Sequence, residues 1–239
     1  MDMLFDIVIP LGPNDVSQIQ GVINHARNNI LNYRNIYIVS YNKNIFVDNV
    51  ITIDQNIFPF TKCIENYLGK NDRNGWYLQQ LIKLYAGHYI PDILKNYLII
   101  DADTYFLKTV EFFKHNLPLY NYGTECHSDY FRHMSLLHPS LKKYNNTSGI
   151  CHHMLFQKDK LNHLFEMVEK YHDNKKSFWI IFLECIEKPL PGSGASEYEI
   201  YYNFLHIYYP NEFIIRPLKW NNTSINDEYD YVSYHWYIR

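Results

Sequence analysis

Asp101 and Asp103 close the run Tyr-Leu-Ile-Ile-Asp-Ala-Asp-Thr-Tyr-Phe-Leu at residues 97–107, two carboxylates spaced i and i+2 directly after a short apolar segment. A buried strand ending there delivers both to its carboxyl end, where α/β sheets keep their ligand crevice. Hard anionic oxygens so spaced can hold Mg²⁺ or Mn²⁺ and leave positions open for phosphate oxygens. The expected ligand is therefore a metal-bound phosphate. An Asp-rich turn at a strand end has the same composition, and the helix that precedes the motif weighs against it.

That helix spans residues 74–89. Tyr77, Leu78, Leu81, Leu84, Tyr85 and His88 fall on one side, and Trp76, Gln79, Gln80 and Lys83 share another at i, i+3, i+4 and i+7. Because it runs straight into the strand ending at Asp101, its polar face can look into the crevice. Lys83 would there counter phosphate charge and the glutamines would hold hydroxyls. A solvated polar face is the alternative, in which an exposed Trp76 would be unusual.

Three further places carry chemistry. In Ser-Gly-Ile-Cys-His-His-Met-Leu-Phe, residues 148–156, a strand would point His152 and His153 to opposite faces, so that one reaches a site and the other packs in the core. Ser196 and Glu199 have the spacing of a capping box at a helix start, which gives Glu199 a structural task and leaves Glu197 free to face a cleft as a base. Stabilisation of the helix dipole would also explain Glu197. His235 lies in an aromatic terminal segment that can fold back on the sheet as a third metal ligand, tilting the preference towards Mn²⁺, or pack there as a satisfied core residue.

The elements that must position these residues follow from periodicity. Residues 5–10 read as a buried strand, 11–15 as a turn able to seat a nucleotide base, 16–29 as an amphipathic helix and 35–40 as a second strand, which implies a right-handed parallel crossover. Residues 45–60 hold one more short strand. Short strands are expected within 119–124, 212–217 and 229–238, helices at 158–171 and 177–187, a loop or helix at 128–143, and a Gly-Ser-Gly flap within 188–199.

Composition limits the partners. The chain has 239 residues, 47% of them hydrophobic, and a net charge of −3, so it carries no basic field for nucleic acid. Four dispersed cysteines without Cys-x-x-Cys and the lack of a leader-like segment point to a cytoplasmic, reducing setting. No apolar run approaches the ~20 residues of a membrane span. Cys126-His127 and Cys151-His152 match no short-range zinc pattern.

With these residues in hand, the chain resembles the GT-A-type nucleotide-sugar glycosyltransferases, in particular a branch of small stand-alone enzymes from bacteria and large DNA viruses. The resemblance rests on four ordered motifs: Trp-Tyr-Leu-Gln-Gln at residues 76–80, Asp-Ala-Asp at 101–103, His-His-Met at 152–154 and Ser-Glu-Tyr-Glu at 196–199. It implies a single α/β, Rossmann-like domain with a mostly parallel mixed central sheet flanked by helices, its donor half at 1–107 and its acceptor half and tail at 108–239. It further implies a nucleoside diphosphate sugar, UDP-sugar favoured, on Mn²⁺ or Mg²⁺ held by Asp101 and Asp103. His152, His153, Ser196 and Glu197 would face substrate, and a hydroxyl acceptor would bind in the C-terminal half. A viral member would work in the host cytoplasm. Two other readings remain: a haloacid-dehalogenase-like phosphatase with Asp101 as nucleophile, and a non-catalytic carbohydrate-binding protein using its aromatic faces.

Overall fold

Phe5–Leu11 (β1) is buried along its whole length, and this central strand organises the sheet. The computed structural model describes residues 3–188 and 192–239. After β1 come a 3-10 turn at Pro13–Asp15, the helix Ile19–Asn29 (α1), and the strands Tyr33–Ser40 (β2) and Ile51–Asp54 (β3). Ile64–Leu68 (α2) and Asn74–Tyr89 (α3) lead to Asn96–Ile100 (β4), Thr104–Phe106 (β5), Phe113–Lys114 (β6) and Leu117–Tyr120 (β7). Ser128–Leu137 (α4), His153–Gln157 (β8), Lys158–Tyr171 (α5), Phe178–Glu184 (α6) and Glu197–Tyr208 (α7) follow. The tail adds Ile214–Ile215 (β9), Trp220–Asn221 (β10), Tyr231–Ser233 (β11) and a 3-10 turn at Trp236–Ile238.

The central sheet has the order β3-β2-β1-β4-β8. Its first four strands are parallel and β8 is antiparallel to β4. The architecture is thus α/β with a mostly parallel mixed sheet flanked by helices, as expected. Strand order reverses between β1 and β4, the switch point outside whose carboxyl ends doubly wound sheets have the crevice in which they bind ligands. Of two small three-stranded sheets, β10-β11-β5 and β6-β7-β9, the first folds the tail back beside the end of β4, and β6 in the second lies near Phe5 at the start of β1.

Several local expectations change. The first helix begins at Ile19, not residue 16, because Pro13–Asp15 forms its own turn and leaves Val16 exposed. The segment expected to be one strand from residue 148 becomes extended only at His153, since His152 takes a left-handed backbone with φ of 62°. Of the loop expected as a flap, residues 189–191 lie outside the described residues, while the Gly194 N–H donates to the Tyr77 hydroxyl at 3.0 Å. All four cysteines are free. Among the described residues, no helix is long and apolar enough to cross a membrane.

The helix α3 has the expected bounds but not the expected two faces. It touches β1, β4, α2, α5 and α7, so Gln80 and Lys83 are as buried as Leu81 and Leu84. Gly87 lets Tyr97 of β4 lie close against the helix, where an added Cβ would stand 2.6 Å from the ring. The Tyr97 hydroxyl then donates to the Lys83 and Leu84 carbonyls at 3.2 and 3.1 Å. This contact fixes the height of Lys83 relative to the end of β4.

Candidate functional site

The turn Asp101-Ala-Asp between β4 and β5 is pinned by its backbone. The Asp101 N–H donates to the His152 carbonyl at 2.9 Å, and the Thr104 N–H closes the turn on the Asp101 carbonyl at 3.0 Å. The left-handed conformation of His152 turns its ring back over the turn it supports, a costly geometry of the kind that clusters at functional sites. Gly149, three residues earlier, packs directly on α7. A Cβ there would run into the Tyr198 carbonyl oxygen and the Tyr202 Cβ. That close approach brings Ser148 to Glu199 at 2.5 Å and lets Tyr198 reach Asp101.

Asp101 is consequently surrounded by donors. Its Oδ1 accepts from Lys83 Nζ at 2.6 Å and the Tyr198 hydroxyl at 2.9 Å, and its Oδ2 accepts from His152 Nδ1–H at 3.2 Å. Lys83 Nζ also reaches Glu197 Oε1 at 2.7 Å and lies 4.3 Å from the Tyr198 ring centroid. One buried ammonium thus serves two carboxylates. Burial works against each charge. For Asp101 it is outweighed by Lys83 and His152, which hold this carboxyl well below the usual range. For Glu197 burial wins, reinforced by the charge of Asp101, and its pKa is raised. Lys83, between the two, is held protonated above the ordinary lysine value despite its burial.

Asp103 belongs to a second pair. His235, brought round by β11, donates from Nδ1 to Asp103 Oδ2 at 2.8 Å, and the Tyr234 N–H donates to the Asp103 carbonyl. The pKa of His235 is raised: burial opposes the charge, and Asp103 outweighs it. The rings of His152 and His235 touch, with centroids 4.8 Å apart, so the two histidine–aspartate pairs form one cluster.

Asp103 and His235 are the residues of this cluster that could hold a divalent cation. Asp103 Oδ1 is buried with no partner among the described residues, and a lone carboxylate oxygen beside an imidazole suits Mn²⁺. Asp101 is less suited than its spacing suggests, because both of its oxygens are already held. Among the described residues, no three His, Cys, Asp or Glu side chains converge as a ready-made ion site.

The cluster lines a cleft of about 870 Å³, together with the turn after β1, Tyr41, Trp76, Gln79, Gln80, Lys83, Ser196 and Glu197. Three expected site residues do something else. Gln80 is buried and its Oε1 accepts the Glu197 N–H at 2.9 Å, so it caps α7 rather than holding a ligand hydroxyl through that oxygen. The Ser196 hydroxyl accepts the Glu199 N–H at 3.3 Å, half of the expected capping box, while the Glu199 carboxylate turns to Ser148 and Asn203. His153 does not reach the cleft. It packs against Phe106, Phe112 and Tyr231, and burial pushes its pKa down to about 3. Trp76 stays at the rim, stacked on Tyr130.

Tyr198 and Trp220 were missed by sequence reasoning. Tyr198 stood in plain view between Glu197 and Glu199, and only the helix geometry shows that its hydroxyl reaches Asp101. Trp220 sits edge-to-face against His152 at 5.3 Å, and nothing in its sequence neighbourhood signals that contact.

No protein-family model matches the chain, and no curated protein does. Among solved structures it is similar to mouse xyloside xylosyltransferase 1 in its apo form, with 11% identity over 92% of this chain and 87% of that one and a TM-score of 0.45. It is also similar to an active-site mutant of LgtC, with 12% identity over 90% of this chain and 74% of that one and a TM-score of 0.47. Likeness of this degree settles neither family nor activity.

Proposed function

We propose that the chain is a metal-dependent GT-A glycosyltransferase that moves a sugar from a nucleoside diphosphate sugar, UDP-sugar favoured, to a hydroxyl acceptor. One observation carries the reading: a buried lysine and two histidine–aspartate pairs converge at the switch point of a parallel sheet, in a cleft large enough for a nucleotide sugar. The turn after β1 and Tyr41 would take the base. A cation bound at Asp103 and His235, Mn²⁺ or Mg²⁺, would supply positive charge against the donor diphosphate.

The chain's own residues account for the rest. Lys83 is fixed, desolvated and permanently charged, so it needs no reorganisation to stabilise negative charge developing on a leaving phosphate. Tyr198 and His152 orient Asp101, and Asp101 orients Lys83. Glu197 lines the cleft with its pKa raised, and in an inverting transfer it takes the acceptor proton, a role worth roughly 10²- to 10⁴-fold in rate. Glu197→Gln should then lower turnover by about that factor without weakening nucleotide binding; turnover near the wild-type rate would remove Glu197 from this role. A phosphatase using Asp101 as nucleophile is disfavoured, because Lys83, Tyr198 and His152 occupy both of its oxygens.

The reading is tested by thermal stabilisation with UDP, GDP, CMP and dTDP, each with and without Mn²⁺. A ligand at 100 times its Kd stabilises by about 2.7 kcal/mol, enough for a clear shift. The expected result is a shift that requires both one nucleotide and Mn²⁺. No shift with any combination would overturn the reading.

A further inference from the structure

Beside the main cleft lies a second cavity of about 480 Å³, walled by the chain around residues 121–125 and 217–222. Glu125 and Asn222 line both cavities, so the two are adjacent. We infer that this side cavity is the acceptor subsite and that it takes a neutral carbohydrate; the acceptor role rests on the glycosyltransferase reading.

Its position comes first. Trp220, in its wall, touches His152, which holds Asp101, so a molecule seated there lies next to the cluster of the main cleft. Its walls are hydrogen-bonded together. The Asn121 side chain accepts the Leu218 N–H at 2.9 Å and donates to the Tyr231 hydroxyl at 2.8 Å, which ties the two segments together. Trp220 stacks on Tyr231 with rings 9° apart, and its Nε1–H is spent on the Tyr122 carbonyl. What Trp220 can offer a ligand is therefore apolar ring surface, the kind of platform on which the C–H faces of sugars rest.

The remaining lining selects the class. Thr124, Glu125 and Asn222 present a hydroxyl, a carboxylate and a planar amide, groups that donate to and accept from vicinal hydroxyls. The charged lining residues are one of each sign, Lys219 and Glu125, the latter also meeting His127 at 3.1 Å, so the cavity carries no excess positive charge that would favour an anionic acceptor.

The experiment is saturation-transfer NMR with lactose, maltose and cellobiose on the wild type, on Thr124→Trp, which fills the side cavity from an exposed position away from the main cleft, and on Asn222→Ala. Binding of at least one disaccharide is expected, abolished in Thr124→Trp and at least 10-fold weaker in Asn222→Ala. The UDP and Mn²⁺ thermal shift should stay unchanged in Thr124→Trp. No saturation transfer to any of the three sugars, or equal transfer in Thr124→Trp, would overturn the subsite even where the nucleotide shift is present. Disaccharide binding lost in Thr124→Trp, with no nucleotide shift in the wild type, would support the cavity as a sugar site and defeat the donor reading instead.

Discussion

Lys83→Met is expected to destabilise the protein by roughly 3–5 kcal/mol, the cost of leaving buried charge without its partner. Lys83 is 2% exposed, and methionine can fill much of the space of its alkyl chain. The loss is therefore mainly electrostatic. Without the ammonium, Asp101 and Glu197 remain as two buried carboxylates that repel each other, held only by Tyr198, His152 and the start of α7. For a domain of this size the deficit corresponds to a fall in Tm on the order of 10 °C. The pH dependence separates charge from packing. In the variant one carboxyl of the pair has its folded-state pKa raised above its unfolded value, so the folded state binds the extra proton and the penalty shrinks as pH falls. The gap to the wild type should therefore be smaller at pH 5 than at pH 8, measured by urea unfolding at both. An equal gap at the two pH values would mean that only packing was lost, and that Lys83 is not the charge on which the site is balanced.

Much of this site was legible in the sequence at the level of elements. The bounds of α3 could be read because sixteen residues without proline follow a helical period, and the end of β4 could be read because an apolar run stops at Asp101. The faces of α3 could not. Periodicity separates apolar from polar positions, but α3 is covered by the sheet and by α2, α5 and α7, so its polar residues are buried as well. Lys83 is tolerated there because Asp101 and Glu197, the latter 114 residues later, supply its partners. For the same reason the local sequence shows Gln80 on a polar face but not that its Oε1 accepts the first N–H of α7, more than a hundred residues later. His152 and His153 were separable as a pair. The assignment of one to the cleft and the other to the core depended on a left-handed backbone at His152, which no residue type there predicts. His235 could be proposed for the metal site from its place in a strand-like tail, yet its contact with Asp103 needed the antiparallel register of β11 on β5.

That register gives the second large effect. Asp103→Asn should leave the fold nearly intact, because asparagine is the same size, the backbone bond from Tyr234 to residue 103 is untouched, and an amide oxygen can still accept from His235 Nδ1. What disappears is the negative charge of a carboxylate with a buried oxygen that has no partner among the described residues. A neutral amide is a far weaker donor to a hard cation, so Mn²⁺ should no longer potentiate nucleotide binding. Transfer should fall by roughly 10²- to 10³-fold or more, the scale of losing one preorganised electrostatic contact to a transition state. The decisive comparison needs no turnover: the thermal shift with UDP plus Mn²⁺ should collapse to that of UDP alone, while Tm without ligand stays within a few degrees of the wild type. Asp101→Asn is the informative contrast. Asp101 holds Lys83, Tyr198 and His152, so its neutralisation should lower Tm in the absence of any ligand, whereas Asp103→Asn should not. If both variants lost the Mn²⁺ effect with unchanged stability, the two aspartates would be equivalent metal ligands. The division of labour inferred from their partners, structural anchoring by Asp101 and cation binding by Asp103, would then be wrong.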